Sequence, residues 1–241
     1  MIRVLLFLAA LIGGQAQAQC RLALALGLDV SGSVDSHEYR LQLDGLAAAL
    51  EHPEVAEAVL ALPALPIRLS IYEWSGPFDQ HMLLEWTEIP DRATLNAVVA
   101  RLRAATRREA EPGTALGAAM TKGVDLLLQQ PDCWARTLDL SGDGKHNLGP
   151  HPRTVRGRLQ RLDVTINALV IGADAAAFTD QRQVQIQELA AYFEAYVIQG
   201  ADAFVETALG FEGFEDAMVR KLKRELQGPV LSRLRDSPGA L

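Results

Sequence analysis

The sequence has no surplus of positive charge. Lysine and arginine number 23 against 30 aspartates and glutamates, a formal net charge of −7. A nucleic-acid partner is disfavoured on that ground, because a phosphate backbone needs a basic face. The Arg-rich stretch RLRAATRRE (101–109) is the local exception and reads as the solvated side of a helix and its exit. Long apolar runs are missing too, so no segment after the N-terminus supplies the ~20 residues of a bilayer span. Internal repeats and low-complexity blocks are absent, which argues against a repeat array. Cysteine is scarce, with two in 241 residues.

What is present begins at the N-terminus. MIRVLLFLAALIGGQAQAQC carries Arg3, an apolar stretch from Val4 to Ile12, then small residues. Ala16-Gln17-Ala18 fits the A-x-A cleavage pattern of a secretory signal peptide. The expected division is a signal peptide over 1–18, one domain over 19–226 and a loose tail over 227–241. No twin arginine is present, which favours the general export route. Lipid attachment at Cys20 is disfavoured, because Gln17 and Gln19 stand where such a site has leucine and a small residue. The mature chain is expected in the periplasm or outside the cell, without a membrane span.

An oxidising compartment gives the cysteines a possible use. Cys20 precedes the first strand candidate and Cys133 a later one. If those strands are parallel neighbours, their starting ends are adjacent and the sulfurs can meet in a disulfide. Two buried free thiols are the other reading.

RLALALGLD (21–29) is almost continuously apolar, as a strand covered on both faces of a parallel sheet must be. A helix follows over Asp35–His52, with Asp35 and Glu38 spaced as a capping box. PALP (63–66) punctuates the chain. IRLSIYEW (67–74) and HMLLEWTEI (81–89) read as strands. Their connection is too short for a helical crossover, so this pair is antiparallel. Helices are predicted over 91–105 and 114–130, a strand in ARTLDLSG, a helix over 151–162 and a strand over 163–172. A helix over 183–196, an edge strand over 203–207 and a helix over 210–226 complete the pattern. Such alternation predicts a three-layer α/β fold, an open doubly wound and mostly parallel sheet with helices on both faces. Ligands in these folds bind beyond the carboxyl ends of the strands, where strand order reverses.

Three polar loops fall at that edge. The first offers Asp29, Ser31 and Ser33, the second Thr114 after Gly113, and the third Asp143 between Gly142 and Gly144. All five side chains carry oxygen. Oxygen-only shells suit Mg²⁺, Mn²⁺ or Ca²⁺, and two carboxylates neutralise a divalent ion while hydroxyls add donors without charge. Taken singly, the serines could cap a helix and Asp143-Gly144 could be a turn. Lys145, His146, Asn147 and His151 follow the third loop and read as solvated loop residues, with shaping of a ligand surface or acid-base work as the other reading. Asp139 reads as structural.

DVSGS, the Gly-Thr of PGTALGAAM and the Asp-Gly of LDLSGDG resemble the metal-ion-dependent adhesion site of von Willebrand factor type A domains. The resemblance covers residues 20 to 226. It implies a six-stranded sheet with one antiparallel edge strand. It further implies that Ser31 and Ser33 ligate Mg²⁺ (or Mn²⁺ or Ca²⁺) directly, Thr114 directly or through water, and Asp29 and Asp143 largely through water and hydrogen bonds. One departure is Gly142, where the motif often has threonine. The partner implied is a protein presenting Asp or Glu to the metal.

The resulting expectation is an exported, metal-dependent protein-binding module, not an enzyme. A metal-dependent hydrolase of phosphates or esters is the alternative, with His146 or His151 as the general base. A serine-hydrolase elbow is excluded, because it needs glycine two places before the serine and position 29 is Asp. A structural domain without metal function is the third reading.

Overall fold

The structure is a computed structural model that describes residues 19–172 and 179–236. The expected signal peptide, residues 1–18, lies outside the described residues. The elements, in order, are β1 (Cys20–Asp29), α1 (Ser36–Glu51), α2 (Pro53–Leu60), β2 (Ile67–Trp74), β3 (Gln80–Ile89), α3 (Arg92–Ala104) and α4 (Leu116–Leu127). They continue with β4 (Cys133–Gly142), α5 (Pro152–Leu159), β5 (Thr165–Ile171), α6 (Thr179–Tyr196), β6 (Val205–Ala208) and α7 (Phe214–Asp236).

The six strands form one sheet in the order β3-β2-β1-β4-β5-β6. β3 pairs antiparallel with β2, and the other pairings are parallel. This is the expected three-layer fold with one antiparallel edge strand. Strand order reverses between β1 and β4, so the ends of these two strands frame a crevice.

β1 is buried at every position, as its unbroken apolar run requires. Its two faces differ in size. Leu22, Leu24, Leu26 and Leu28 enter the core shared with α1, α3 and α7. Ala23 and Ala25 enter the core shared with α4 and α6. Each buried leucine contributes roughly 1.5–3 kcal/mol. The small residues let α4 lie close to the sheet: a methyl group on Gly123 would stand 2.3 Å from Leu138 Cδ1.

Asp35 caps α1 as predicted. Its carboxylate accepts from the amides of His37 and Glu38, and Glu38 returns a bond to the Asp35 amide. Cys20 and Cys133 stand opposite each other in the β1–β4 register and form a disulfide with Cα atoms 4.6 Å apart. The disulfide thus holds the starting ends of the two central strands, and the free-thiol reading is set aside.

Two elements differ from expectation. α2 was not foreseen: the chain turns at His52, and Pro53 opens a new helix at the position where its missing N–H costs nothing. α7 runs to Asp236, ten residues beyond the predicted end, passing Gly228 and Pro229. One lost backbone donor weakens a helix without obliging it to stop.

Candidate metal centre

The three polar loops meet at the crevice between β1 and β4. Asp29 is the last residue of β1 and is fully buried. Its Oδ1 accepts from the Ser31 amide at 2.8 Å, which curls the loop back over the strand end. Ser31 Oγ and Ser33 Oγ lie 3.2 Å apart, and Ser33 donates to Asp143 Oδ1 at 2.9 Å. A methyl group built on Gly144 would stand 3.7 Å from Thr114 Oγ1, so the Thr114 hydroxyl borders the same loop as Asp143. All five residues singled out in the sequence therefore come together.

Glycines permit this approach. A methyl on Gly142 would stand 3.3 Å from Asp29 Oδ2 and 3.4 Å from both Trp74 and Phe193. The departure from threonine at this position thus leaves room for Asp29 against two buried rings. Gly32 packs on Pro112, and its amide donates to the Pro112 carbonyl at 3.1 Å. That contact ties the first loop to the second.

The sequence reading missed the residues that support the loops. Gln42 of α1 is fully buried; it donates to the Asp29 carbonyl at 3.0 Å and accepts from Ser141 Oγ at 3.0 Å. It bridges the ends of β1 and β4. Asn147 accepts from the Thr114 amide at 2.8 Å and donates its own amide to the Thr114 carbonyl at 3.1 Å. A glutamine among the apolar positions Tyr39, Leu43 and Leu46 was the available signal for Gln42. For Asn147 the signal was its place just after Asp143, where shaping the ligand surface is the alternative to a solvated loop.

The electrostatics are unbalanced. Burial, and then the charge of Asp143, push the Asp29 carboxyl up to about 8. Burial also raises Asp143. Among the described residues, no lysine or arginine pairs with either carboxylate. Asp29 Oδ2 is buried with no hydrogen-bond partner. Two neighbouring carboxylates, an orphaned buried oxygen and three hydroxyls make a donor set that fits a hard divalent cation. Among the described residues there is no group of three His, Cys, Asp or Glu side chains able to hold a metal, so any cation here would depend on the hydroxyls.

The neighbouring histidines have other contacts. His151 Nδ1 accepts from the Arg153 amide at the start of α5, and its ring packs edge-on against Tyr196. His146 packs edge-on against His151, and burial followed by that neighbour lowers its pKa. A cleft of about 340 Å³ lies between β3 and the end of α3, lined by Ile71, Leu84, Val98 and Leu102 among others. None of the five converging residues lines it.

Asp139 is structural, as expected. It lies 2.8 Å from Lys221 Nζ of α7, and Lys221 also pairs with Glu225. All three are buried. Asn167 donates to Glu225 at 2.8 Å.

The sheet order and layers are those of a Rossmann- or von Willebrand factor type A-like fold. The chain belongs to the family described as Protein of unknown function (DUF1194), which matches residues 19–230. Among solved structures it is similar to proximal thread matrix protein 1 from the mussel byssus, with TM-score 0.58 and 16% identity over 87% of this chain and 49% of that one. Another structure of that mussel protein is described as having a zinc-occupied MIDAS motif, with TM-score 0.58 and 12% identity over 88% of this chain and 47% of that one. The pilus adhesin SpaC from Lactobacillus rhamnosus GG is similar at TM-score 0.57 and 14% identity, over 89% of this chain and 31% of that one. The chain thus spans about half or less of the length of these proteins. No curated protein matches the sequence.

Proposed function

We propose that this chain is an exported, metal-dependent protein-interaction module. Ser31, Ser33 and Thr114 would hold a divalent cation, Mg²⁺ before Mn²⁺ or Ca²⁺, with Asp29 and Asp143 supplying the balancing charge. Such an ion supplies a Lewis-acidic point that attracts an anionic oxygen, here an Asp or Glu carboxylate on a partner protein. The observation that carries this reading is Asp29 Oδ2, buried and unpartnered beside a second carboxylate and three hydroxyls. The fold's likeness to an adhesin and a matrix protein supports it. The Cys20–Cys133 disulfide and the A-x-A pattern ending at Ala18 support export to an oxidising compartment.

This chain's own residues have defined tasks. Gln42 holds the ends of β1 and β4 at a fixed separation. Asn147 fixes the backbone of Thr114. The Ser31 amide orients Asp29 through Oδ1 and leaves Oδ2 without a protein donor.

Isothermal titration of the chain with MgCl₂ and MnCl₂ tests the reading. Saturable one-to-one binding is expected for the native chain and its loss for Ser31→Ala, with circular dichroism unchanged. A native chain that takes up neither ion would refute it.

A further inference from the structure

We infer that Phe78 and Leu148 are the apolar anchor of a docking surface beside the metal centre, and that this surface takes a polypeptide segment in which a carboxylate is flanked by an apolar side chain. The inference rests on the metal-dependent reading above and adds the second half of the partner's chemistry.

Phe78 is 95% exposed, and Leu148 is 45% exposed. Phe78 sits in the β2–β3 turn. β2 runs parallel to β1, and Trp74 at its end pairs with Asp29. The turn therefore lies at the same edge of the sheet as the five converging oxygens. Leu148 lies in the loop that follows Asp143. It packs over Gly113, where an added methyl would stand 2.7 Å from its Cδ2.

The turn is held from several sides. The Ser75 amide donates to the Asp79 carbonyl at 3.1 Å, and Ser75 Oγ donates to Asp79 Oδ2 at 2.6 Å. Arg108 pairs with Asp79 Oδ1 at 2.6 Å. The turn is also tied to the centre itself. The Ala115 amide, next to Thr114, donates to the Ser75 carbonyl at 2.8 Å. A methyl on Gly149 would stand 3.2 Å from Pro77 Cγ, so the turn touches the Asp143–His151 loop as well.

The bonds hold the backbone of the turn, while the Phe78 ring itself is left in water. The backbone share of the ordering cost is therefore met before binding, and burying the exposed ring in a complex would gain affinity. Charge sorts the surface into two ends. Lys145 is exposed two residues past Asp143, and Arg107 is held at the first loop by its bond to the Val34 carbonyl at 2.7 Å, so the cations lie on the loops that carry the five oxygens. Glu111 lies against Gly76 of the Phe78 turn. The carboxylate of the segment therefore belongs at the oxygens and its apolar side chain at the turn.

Two displayed peptide libraries test the inference, one with a fixed central Asp and one with Asn there. Each is panned against residues 19–241 in MgCl₂ and in EDTA. Magnesium-dependent enrichment from the Asp library alone is expected, with an aromatic or branched residue at a constant offset from the Asp. Phe78→Ser and Leu148→Ser should each weaken the enriched peptides by about tenfold or more, as loss of an interface anchor does. Magnesium binding by calorimetry should not change in either variant. Enriched peptides that lack the apolar preference, or that bind Phe78→Ser as well as the native chain, overturn the surface and leave the metal reading standing. Calorimetric magnesium binding without any enrichment overturns the surface and the carboxylate-bearing partner together. Magnesium-independent capture of the chain by phosphatidylglycerol vesicles, lost in Phe78→Ser, would assign the ring to a lipid surface instead and overturn the inference.

Discussion

Ser33 donates its hydroxyl proton to Asp143 at 2.9 Å, across 110 residues of sequence. This bond closes the gap between the loop after β1 and the loop after β4. It also gives Asp143 its principal compensation, since burial opposes its charge. Asp29 is worse off: its second oxygen has no partner and its neighbour carries the same charge.

Asp29→Asn should therefore act in opposite directions with and without metal. In EDTA the variant should melt above the native chain, because Asn retains an acceptor for the Ser31 amide and removes a buried acid. In saturating MgCl₂ the order should reverse. The native chain gains about 2.7 kcal/mol when the ion is at a hundredfold excess over its dissociation constant, and the variant gains little. Differential scanning fluorimetry in the two buffers reads this crossing. Parallel shifts in both would refute the assignment of Asp29 to the cation.

Gly117 of α4 offers a test at a distance. A methyl there would stand 1.9 Å from the Pro150 carbonyl oxygen, which is backbone and has no rotamer to change. Gly117→Ala should push the 143–151 loop away from the helix and disturb the Asn147–Thr114 pair. Magnesium affinity should fall by about tenfold or more, while stability drops by about 1–3 kcal/mol, the usual range for overpacking. Calorimetry and urea denaturation measure the two effects separately.

Replacing both cysteines with serine should cost stability. The bridge closes a loop with a sequence separation of 113, for which chain entropy predicts a contribution of about 2–4 kcal/mol or slightly more. The loss should appear as a lower urea midpoint. The native chain should match the double variant once it is reduced by dithiothreitol, and a variant equal to the oxidised chain would contradict this.

The Asp139–Lys221–Glu225 cluster predicts a pH dependence. It holds two carboxyls and one ammonium away from water. Burial raises Asp139 to about 7, against the attraction of Lys221. Lys221 is raised by both acids in spite of its own burial. Between about pH 4 and pH 7 the folded chain keeps a proton on Asp139 that the unfolded chain has released. This contribution is therefore full below the ordinary carboxyl range and fades as pH rises through 7. Asp139→Asn keeps the neutral shape without the titration. Relative to the native chain, its stability should improve from pH 5 to about pH 7, by at most about 1.4 kcal/mol per pH unit, and level off above that. Urea midpoints at four pH values give the slope, and a flat difference would place the ionised form in the native state throughout.

The layers of the fold could be read because burial on both faces leaves an unmistakable pattern, as in RLALALGLD. The five oxygens could be read because each sits at a strand end or beside a helix start, where short polar residues are otherwise hard to justify. What escaped were contacts whose meaning exists only in three dimensions. Gln42 looks like an ordinary helix residue until its two partners, Asp29 and Ser141, are brought together from either side. Asn147 reads as loop polarity until Thr114 is beside it. α2 escaped because the residues between His52 and PALP were given no element, whereas Pro53 starts a new helix there. The last helix was cut short because Gly228-Pro229 carries a local signal that the observed helix overrides.

β1 is synthesised first yet lies in the middle of the sheet, between β2 and β4. Its second neighbour begins at Cys133, so a growing chain that has displayed Asp29, Ser31 and Ser33 still lacks Asp143. Distant pairings of this kind are slow to form. A nascent or truncated polypeptide thus cannot assemble the full set of oxygens. Under the proposed metal-dependent reading, competence to capture a cation would arrive only with the second half of the molecule, and ion uptake would report whether maturation has finished.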